Sequence, residues 1–294
     1  MNQYIYIIII FSAFACAQDQ RNVSILDHYF SDIQKTQFRL EKELKEISGL
    51  AVTDDGKLFA HNDEEGIIFQ INYETGKIIK SFKIGKKKIK ADFEGLAATS
   101  EAFFMVTSSG DLYKFYEGDE GDEVPYEIFK THLSARNDVE GLCFDASLNV
   151  LLLACKGYPG KGFKNKKTIY PFSLQTMQLN DEPHFILPAD DLFESDRYSL
   201  LRKIGSFFLL PTEKKFSPSA IDRHSKSGNF FILSADNPMI VEVSELGDVV
   251  GALELDAEEH VQPEGIAFLP DYTLVIVDEG AGKRALLSLY KPSE

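Results

Sequence analysis

The stretch Asp92-Phe-Glu-Gly-Leu-Ala97 indicates the fold, because variants of it recur along the chain. The variants are Glu46-Ile-Ser-Gly-Leu-Ala51, Asp138-Val-Glu-Gly-Leu-Cys143, Ser217-Pro-Ser-Ala-Ile-Asp222 and Gln262-Pro-Glu-Gly-Ile-Ala267. We call the third residue of each copy its anchor, and the anchors are Ser48, Glu94, Glu140, Ser219 and Glu264. Successive anchors are separated by 46, 46, 79 and 45 residues. A period in the mid-forties with short strands is typical of β-propeller blades.

Short apolar runs separated by turn residues follow each anchor. After Ser48, for example, strand-like runs are separated by the turns Thr53–Gly56 and Tyr73–Gly76. We therefore predict an all-β, five-bladed β-propeller over residues 36–294. The long third interval contains Pro188–Leu209, a segment without an anchor, which we predict to be a partly helical insertion between blades three and four. The alternative is a sixth blade.

The end of the chain predicts how the ring closes. Blade five is one strand short, whereas the strand-like segment Thr36–Leu44 precedes blade one. We expect this N-terminal strand to complete the last blade, because closure removes unpaired sheet edges.

The first residues are typical of an export signal. The apolar run Ile5–Ala15 has the length of a signal-peptide core and is too short to span a bilayer. It ends in Ala13-Phe-Ala-Cys16, which resembles a bacterial lipobox and would place a lipid on Cys16. We therefore predict a signal peptide or lipobox over residues 1–16, a tether over 17–35, and a location in the periplasm or cell envelope. The membrane would be contacted only through that lipid.

Composition excludes one class of partner. The formal net charge is −15, whereas a nucleic-acid-binding surface needs a basic footprint. Two cysteines remain after Cys16, namely Cys143 and Cys155. They lack the spacing of a reactive pair and are predicted to be buried thiols.

The anchor series, together with "LLLACK", "FSPSAI", "QPEGIAF" and the terminal "VDEG", resembles the SdiA-regulated (YjiK-like) propeller family, in which this chain would be an exported or lipoprotein member. The resemblance covers about Thr36 to Tyr290. It implies a five-bladed propeller, distantly related to NHL-repeat propellers, with a calcium site. It implies no particular reaction.

Hairpin geometry predicts where a site should lie. The start of a first strand and the end of the second lie side by side in an antiparallel hairpin, and the innermost strands of a propeller line its channel. Ten positions should therefore surround one mouth of the channel: Ser48, Asn62, Glu94, Ser108, Glu140, Lys156, Ser219, Ser234, Glu264 and Asp278. Residues two before the anchors, such as Glu46 and Gln262, alternate onto the same side.

Oxygen ligands at this mouth suit Ca²⁺ rather than Zn²⁺. We predict Glu94, Glu140 and Glu264 as metal ligands, together with Asn62 and Asp278. The serines and Lys156 of the ten positions are predicted to contact a ligand. The alternative is that the anchor glutamates bond backbone N–H groups of the neighbouring blade and only hold the ring together.

Three functions remain open from the sequence. The first is an exported calcium-binding propeller that binds a small ligand or protein at the acidic mouth. The second is a metal-dependent hydrolase of phosphoesters or lactones that uses calcium in the channel. The third is a scaffold that binds partners through the blade rims. The sequence does not decide whether the protein is an enzyme.

Overall fold

A computed structural model describes residues 24–31, 34–87, 89, 91–190, 192 and 215–293. The predicted leader with Cys16 lies outside the described residues, as does most of the predicted insertion Pro188–Leu209. Within the described ranges the helices are one turn of α-helix, Asp27–Phe30, and one 3-10 turn, Lys42–Leu44. None of the helices in these ranges has the length and apolar character needed to cross a membrane.

The strands form five sheets, which are the five blades. Blade one contains β2 (Ile47–Val52), β3 (Leu58–Asn62), β4 (Ile67–Asn72), β5 (Lys77–Ile84) and, parallel to β5, β9 (Glu123–Val124). Blade two contains β6 (Phe93–Ala98), β7 (Phe103–Thr107), β8 (Leu112–Phe115) and β10 (Tyr126–Phe129). Blade three contains β11 (Val139–Asp145), β12 (Val150–Cys155), β13 (Lys166–Ser173), β14 (Gln178–Leu179) and β15 (Phe185–Pro188). Blade four contains β16 (Pro218–Arg223), β17 (Phe230–Ser234), β18 (Met239–Val243) and β19 (Val249–Glu254).

Blade five confirms the predicted closure of the ring. Its strands are β20 (Pro263–Phe268), β21 (Leu274–Asp278), β22 (Leu286–Lys291) and, at the outer edge, the N-terminal strand β1 (Gln34–Arg39). β1 runs antiparallel to β22, with Gln34 opposite Lys291. The strand is shorter than the predicted Thr36–Leu44 because the chain turns into the 3-10 helix. That turn brings Leu40 and Leu44, both fully buried, into the same core cluster.

Buried apolar side chains lie between the blades. The core consists of five clusters among the described residues, and each cluster joins two neighbouring blades: one and two, two and three, three and four, four and five, and five and one. Because both faces of the strands near the axis are covered, every residue of β21 is buried, and its first four residues, Leu274–Val277, are all apolar. This closed series of interfaces shows five blades and excludes the sixth.

Glycine after the anchor lets the inner strands meet around a narrow axis. A Cβ atom at Gly95 would lie 2.9 Å from the backbone N of Leu142 in blade three. A Cβ atom at Gly141 would lie 3.2 Å from the backbone N of Ile221 in blade four. Backbone cannot move aside as a flexible side chain does, so these positions require the smallest residue. Close packing between neighbouring inner strands therefore explains why glycine follows glutamate in the repeated motif.

Residues 24–31, which belong to the tether predicted over 17–35, pack on the propeller. Leu26 and Tyr29 are buried at the interface of blades four and five, and the Tyr29 hydroxyl donates to the Tyr272 carbonyl at 2.9 Å. The buried carboxylate of Glu242 accepts from Ser24 Oγ at 2.7 Å and from the Ile25 N–H at 2.8 Å. The short amphipathic helix supplies the apolar side chains that make this docking favourable.

Candidate functional site

One residue in each inner strand forms a β-bulge, and that residue is the anchor. The strand pairing skips from Ile47 to Gly49, and the same skip occurs in the other four blades. The skipped residues are Ser48, Glu94, Glu140, Ser219 and Glu264. A bulge leaves its extra residue unpaired and redirects the side chain. The repeated motif therefore encodes the same local distortion five times around the axis.

The bulges place the three predicted glutamates in one cavity at a mouth of the channel. The cavity has a volume of about 180 Å³. Its lining comprises Glu46, Ile47, Ser48, Asp63, Glu94, Glu140, Lys156, Gln262, Glu264 and Glu279. Five of the ten predicted positions thus lie together, namely Ser48, Glu94, Glu140, Lys156 and Glu264. Six carboxyl groups and one ammonium group line a space large enough for a hydrated ion or a small ligand.

For three of the ten positions, the sequence prediction selected a residue that lies one position too early in its strand. Asn62 lies opposite Ile47, Asp278 lies opposite Pro263, and Ser234 lies opposite Pro218. Directly opposed residues share one face of the sheet, so these side chains follow Ile47, Pro263 and Pro218 rather than the bulged anchor. The structure does not place them in the lining of the cavity.

The side chains of these three residues bond locally. Asn62 Oδ1 accepts the Glu65 N–H at 3.3 Å, and Ser234 Oγ accepts the Ser217 N–H at 3.1 Å. Asp278 Oδ2 lies 2.9 Å from His260 Nδ1, and both residues are buried. Two further predicted positions are also outside the cavity lining: Ser108 donates to Asp92 Oδ2 at 2.7 Å, and Ser219 donates to the Pro263 carbonyl at 2.7 Å.

The prediction missed Asp63 and Glu279, which line the cavity and directly follow the predicted Asn62 and Asp278 in the sequence. Each of them donates its backbone N–H to the residue two before the anchor, Glu46 and Gln262 respectively. Lys156 makes the equivalent bond to the Asp138 carbonyl. The sequence feature that identifies Asp63, Glu279 and Lys156 is the length of the turn inside each inner hairpin, which differs between blades. The turn covers 53–57 in blade one and 269–273 in blade five, but 99–102 in blade two.

Burial and mutual repulsion raise the pKa values of these carboxyl groups. Desolvation is the largest cause in each case. The pKa of Glu94 rises to about 8, with Glu140, Asp92 and Glu264 adding to the shift. The pKa of Glu264 also rises to about 8, with Glu140 and Glu279 contributing.

The other two groups shift less. The pKa of Glu140 rises to about 7, because nearby Lys156 opposes the effect of burial. The pKa of Asp63 rises to about 6 through burial and the negative charges of Glu46, Glu64 and Glu279. The ionised form of each of these carboxyl groups is therefore unfavourable at this mouth, and a cation bound there would favour it.

Hydrogen bonds satisfy part of this charge. Lys156 Nζ pairs with Glu140 Oε1 at 3.2 Å and is the one cation in the described chain that pairs with an anchor glutamate. Glu94 accepts from Ser48 Oγ at 3.2 Å. Glu264 accepts from Gln262 Nε2 at 3.1 Å. None of the three anchor glutamates bonds a backbone N–H of a neighbouring blade among the hydrogen bonds of the described residues.

The donor chemistry fits a hard cation, but the carboxyl groups are not gathered around one point. Carboxylate, hydroxyl and amide oxygens are ligands for Ca²⁺. Asp63 Oδ1 is buried and has no hydrogen-bond partner among the described residues. Within the same part of the chain, no group of three or more His, Cys, Asp and Glu side chains has an arrangement that could hold a metal ion directly.

Comparison with known proteins shows the fold. No protein-family model matches the chain, and no curated protein matches it. The structure is similar to Myxococcus xanthus glutaminyl cyclase, with a TM-score of 0.56 and 13% sequence identity over 88% of this chain and 96% of that one. It is also similar to the PQQ-bound aldose sugar dehydrogenase of Streptomyces coelicolor, with a TM-score of 0.51 and 13% identity over 88% and 99% of the two chains. At such low identity the likeness concerns architecture alone. The chain is a five-bladed β-propeller with an acidic cavity at one mouth of its channel.

Proposed function

We propose that the protein is a cation-binding β-propeller whose acidic mouth takes Ca²⁺. The observation that carries this proposal is that Glu94, Glu140 and Glu264, on three of the five equivalent bulges, line one 180 Å³ cavity. Like charges held together in a partly buried site raise the free energy of the folded state, and a bound cation lowers it. The unpartnered Asp63 Oδ1 on the cavity wall supports the same conclusion.

The residues that would hold the ion are Glu94, Glu140, Glu264 and Asp63. Bound Ca²⁺ would supply positive charge and the ability to polarise an oxygen atom of a ligand. Because the carboxyl groups are spread around the cavity, we expect water molecules to complete the six to eight ligands that Ca²⁺ prefers. Lys156 stays beside Glu140 and could contact an anionic group of a ligand next to the ion.

Calorimetric titration of Ca²⁺ at pH 8 tests the proposal. We expect one site with a dissociation constant of about 10⁻⁴–10⁻³ M, the range of extracellular calcium modules. Glu94→Gln and Glu264→Gln should each weaken binding at least tenfold, because each removes a charged ligand. Glu127→Gln, at an exposed position on β10, is the matched control and should bind as wild type. Wild-type heat signals in both cavity variants would refute the assignment.

We also propose that the protein is a member of the SdiA-regulated (YjiK-like) family, and that it is exported and carries a lipid on Cys16. The motifs "FSPSAI", "QPEGIAF" and "VDEG" support the family, and the apolar run before Cys16 supports a place in the periplasm or cell envelope. Expression in a bacterial host with radiolabelled palmitate tests the lipid. Cys16→Ser should abolish labelling, whereas unlabelled wild-type protein would contradict lipidation.

The hydrolase alternative requires the ion to be bound first. A screen of chromogenic phosphoesters and lactones with and without Ca²⁺ separates it from ligand binding alone. Turnover that depends on Ca²⁺ and is lost in Glu94→Gln would favour the enzyme. The scaffold alternative predicts neither turnover nor calcium binding.

A further inference from the structure

Residues 24–31 attach to the propeller at the face opposite the acidic mouth. The anchors lie at the mouth end of the inner hairpins, so the hairpin turns lie at the other end of the channel. We call this end the far face, and it includes the turns between 145 and 150 in blade three, 243 and 249 in blade four, and 268 and 274 in blade five.

The contacts of Ser24 lie near the far-face end of blade four. Ser234 lies at the mouth end of β17, opposite Pro218. Glu242 pairs with Phe231, which is three residues before Ser234 and one residue from the far-face end of the strand. Because the buried Glu242 carboxylate accepts from Ser24 Oγ at 2.7 Å, the chain joins the propeller at this end.

Two further contacts hold the same segment at the far face. The Tyr29 hydroxyl donates to the carbonyl of Tyr272, which belongs to the far-face turn of blade five. The Ser293 N–H donates to the His28 carbonyl at 2.6 Å, and Ser293 follows the far-face end of β22. The attachment is therefore confined to one face of the propeller.

The length of chain before Ser24 limits where a lipid on Cys16 can lie. Only residues 17–23 separate the two positions. A fully extended chain spans at most ~3.5 Å per residue, so Cys16 lies within about 28 Å of Ser24. A lipid on Cys16 would therefore hold the membrane surface close to the point where the chain joins the propeller.

The height of the propeller favours one orientation on that membrane. Strands of five or six residues span about 17–20 Å, and turns extend beyond both of their ends. With the mouth against the bilayer, the chain before Ser24 would have to run nearly straight along this height. With the far face against the bilayer, the same chain stays slack and keeps the conformational entropy that a straight chain loses.

Charge and exposed apolar side chains favour the same orientation. Six carboxyl groups line the mouth, and a membrane surface with anionic lipids would repel them. On the far face, Leu246 is 79% exposed, more than any other large apolar side chain among the described residues. Leu148, in the far-face turn of blade three, is exposed as well. Apolar side chains at such positions can enter the interfacial layer of a bilayer.

We propose that the far face lies on the membrane that holds Cys16 and that the acidic mouth opens into the aqueous phase. The inference rests on the proposed lipidation of Cys16. The partner of the far face is the lipid surface itself, and the mouth stays accessible to Ca²⁺ and to ligands in solution. Residues 24–31 set this orientation because they fix the short chain to one face.

Fluorescence quenching by a lipid-borne nitroxide tests the orientation in the full, lipid-bearing chain. Leu246→Cys introduces a thiol for a bimane label at the far face, and Val261→Cys introduces one at an equally accessible position next to Gln262 at the mouth. Cys143 and Cys155 are buried and should stay unlabelled.

The vesicles contain phosphatidylethanolamine, phosphatidylglycerol and a lipid with a nitroxide on its headgroup. The label in Leu246→Cys should be quenched about threefold more than the label in Val261→Cys, because the height of the strands separates the two positions. Equal quenching in a chain that floats with the vesicles would overturn the orientation alone, as would stronger quenching in Val261→Cys. A chain that does not float would overturn the lipid anchor and this inference with it.

A longer tether separates the effect of the docked segment from that of the surface. Insertion of twenty Gly and Ser residues directly before Ser24 leaves every described contact in place, and a flexible segment of this length spans about 25 Å on average. The quenching of the two labels should then become similar. An unchanged ratio would overturn the role of the short chain in setting the orientation.

Discussion

At the scale of single residues, the protein repeats one distortion and varies the side chain that it presents. The bulge residue is serine in blades one and four and glutamate in blades two, three and five. Buried Ser219 bonds a neighbouring carbonyl and so ties blades four and five together. The glutamates instead face the cavity, where burial raises their pKa values and their mutual repulsion raises them further. These buried carboxyl groups lower the stability of the folded protein, and they also make the cavity favourable for a cation.

Removing one of these charges should stabilise the calcium-free protein. We expect Glu94→Gln to raise the melting temperature at pH 8 in a chelating buffer by about 2–4 °C, the shift that ~1 kcal/mol gives in a protein of this size. The reason is that the amide keeps the shape of the side chain and the bond to Ser48 while it removes the repulsion. Glu127→Gln should change the melting temperature by less than about 1 °C, as exposed substitutions do. Destabilisation by Glu94→Gln, measured by calorimetry, would contradict the repulsion.

Stability without calcium should fall as the pH rises. Glu94 and Glu264 have an ordinary pKa of 4.5 in the unfolded chain and a pKa of about 8 in the folded protein. Between these values the folded state holds more protons than the unfolded state, so the free energy of unfolding decreases with increasing pH. This contribution is complete below pH 4.5 and is lost as the pH passes 8.

Chemical denaturation between pH 5.5 and 8.5 measures this loss, and the double variant Glu94→Gln/Glu264→Gln should show a flatter profile than wild type. Saturating Ca²⁺ should flatten the wild-type profile as well, because the ion binds the deprotonated groups. An identical slope in wild type and double variant would refute the assignment of the pH dependence to these two carboxyl groups.

At the scale of the elements, the inner hairpin decides which residues meet. The sequence predicted the anchor side of each hairpin because the motif marks the bulge directly. The prediction selected Asn62 and Asp278 because it gave blades one, two and five the same turn length, and the structure does not place either residue in the cavity lining. The turns of blades one and five are one residue longer than that of blade two. One residue reverses the face on which a strand side chain lies, which is why Asp63 and Glu279 are found there instead.

The glycine that follows each anchor glutamate should tolerate no side chain. We expect Gly95→Ala to destabilise the protein by about 1–3 kcal/mol, the usual cost of forcing an extra group into a packed core. The added Cβ would lie 2.8 Å from Leu142 Cβ and 2.9 Å from the Leu142 backbone N.

Gly121→Ala is the matched control, because no atom lies within 4 Å of a Cβ at that position. Its φ of +79° still makes alanine unfavourable there, by about 1 kcal/mol. Urea unfolding measures both variants. A loss at Gly95 no larger than that at Gly121 would contradict the close approach of blades two and three.

At the scale of the whole molecule, the two ends of the chain form one blade. The sequence predicted this closure and the number of blades, because five anchors and a surplus N-terminal strand leave one economical arrangement. It did not predict that residues 24–31 dock at blades four and five. That docking depends on Glu242, which is more than two hundred residues away in sequence and lies in an otherwise apolar strand. Long-range partners of this kind leave no periodic signal.

Truncation should separate the contributions of the N-terminal segments. A chain that begins at residue 24 keeps every described contact and serves as the reference for the shorter chains. A chain that begins at residue 33 loses the docking of Leu26 and Tyr29 and should melt about 5–10 °C lower, since each large buried side chain contributes about 1.5–3 kcal/mol before ordering costs. A chain that begins at residue 41 also loses β1 and should not fold. A folded, monomeric product of this last truncation, judged by circular dichroism and gel filtration, would contradict the closure.

Anomalous X-ray diffraction from crystals grown in saturating Ca²⁺ tests the central claim most directly. The account predicts a calcium peak inside the acidic cavity, with oxygen atoms of Glu94, Glu140 or Glu264 among its ligands or bound to its water molecules. A peak at another place on the propeller, or no peak at a concentration far above the calorimetric dissociation constant, would contradict it.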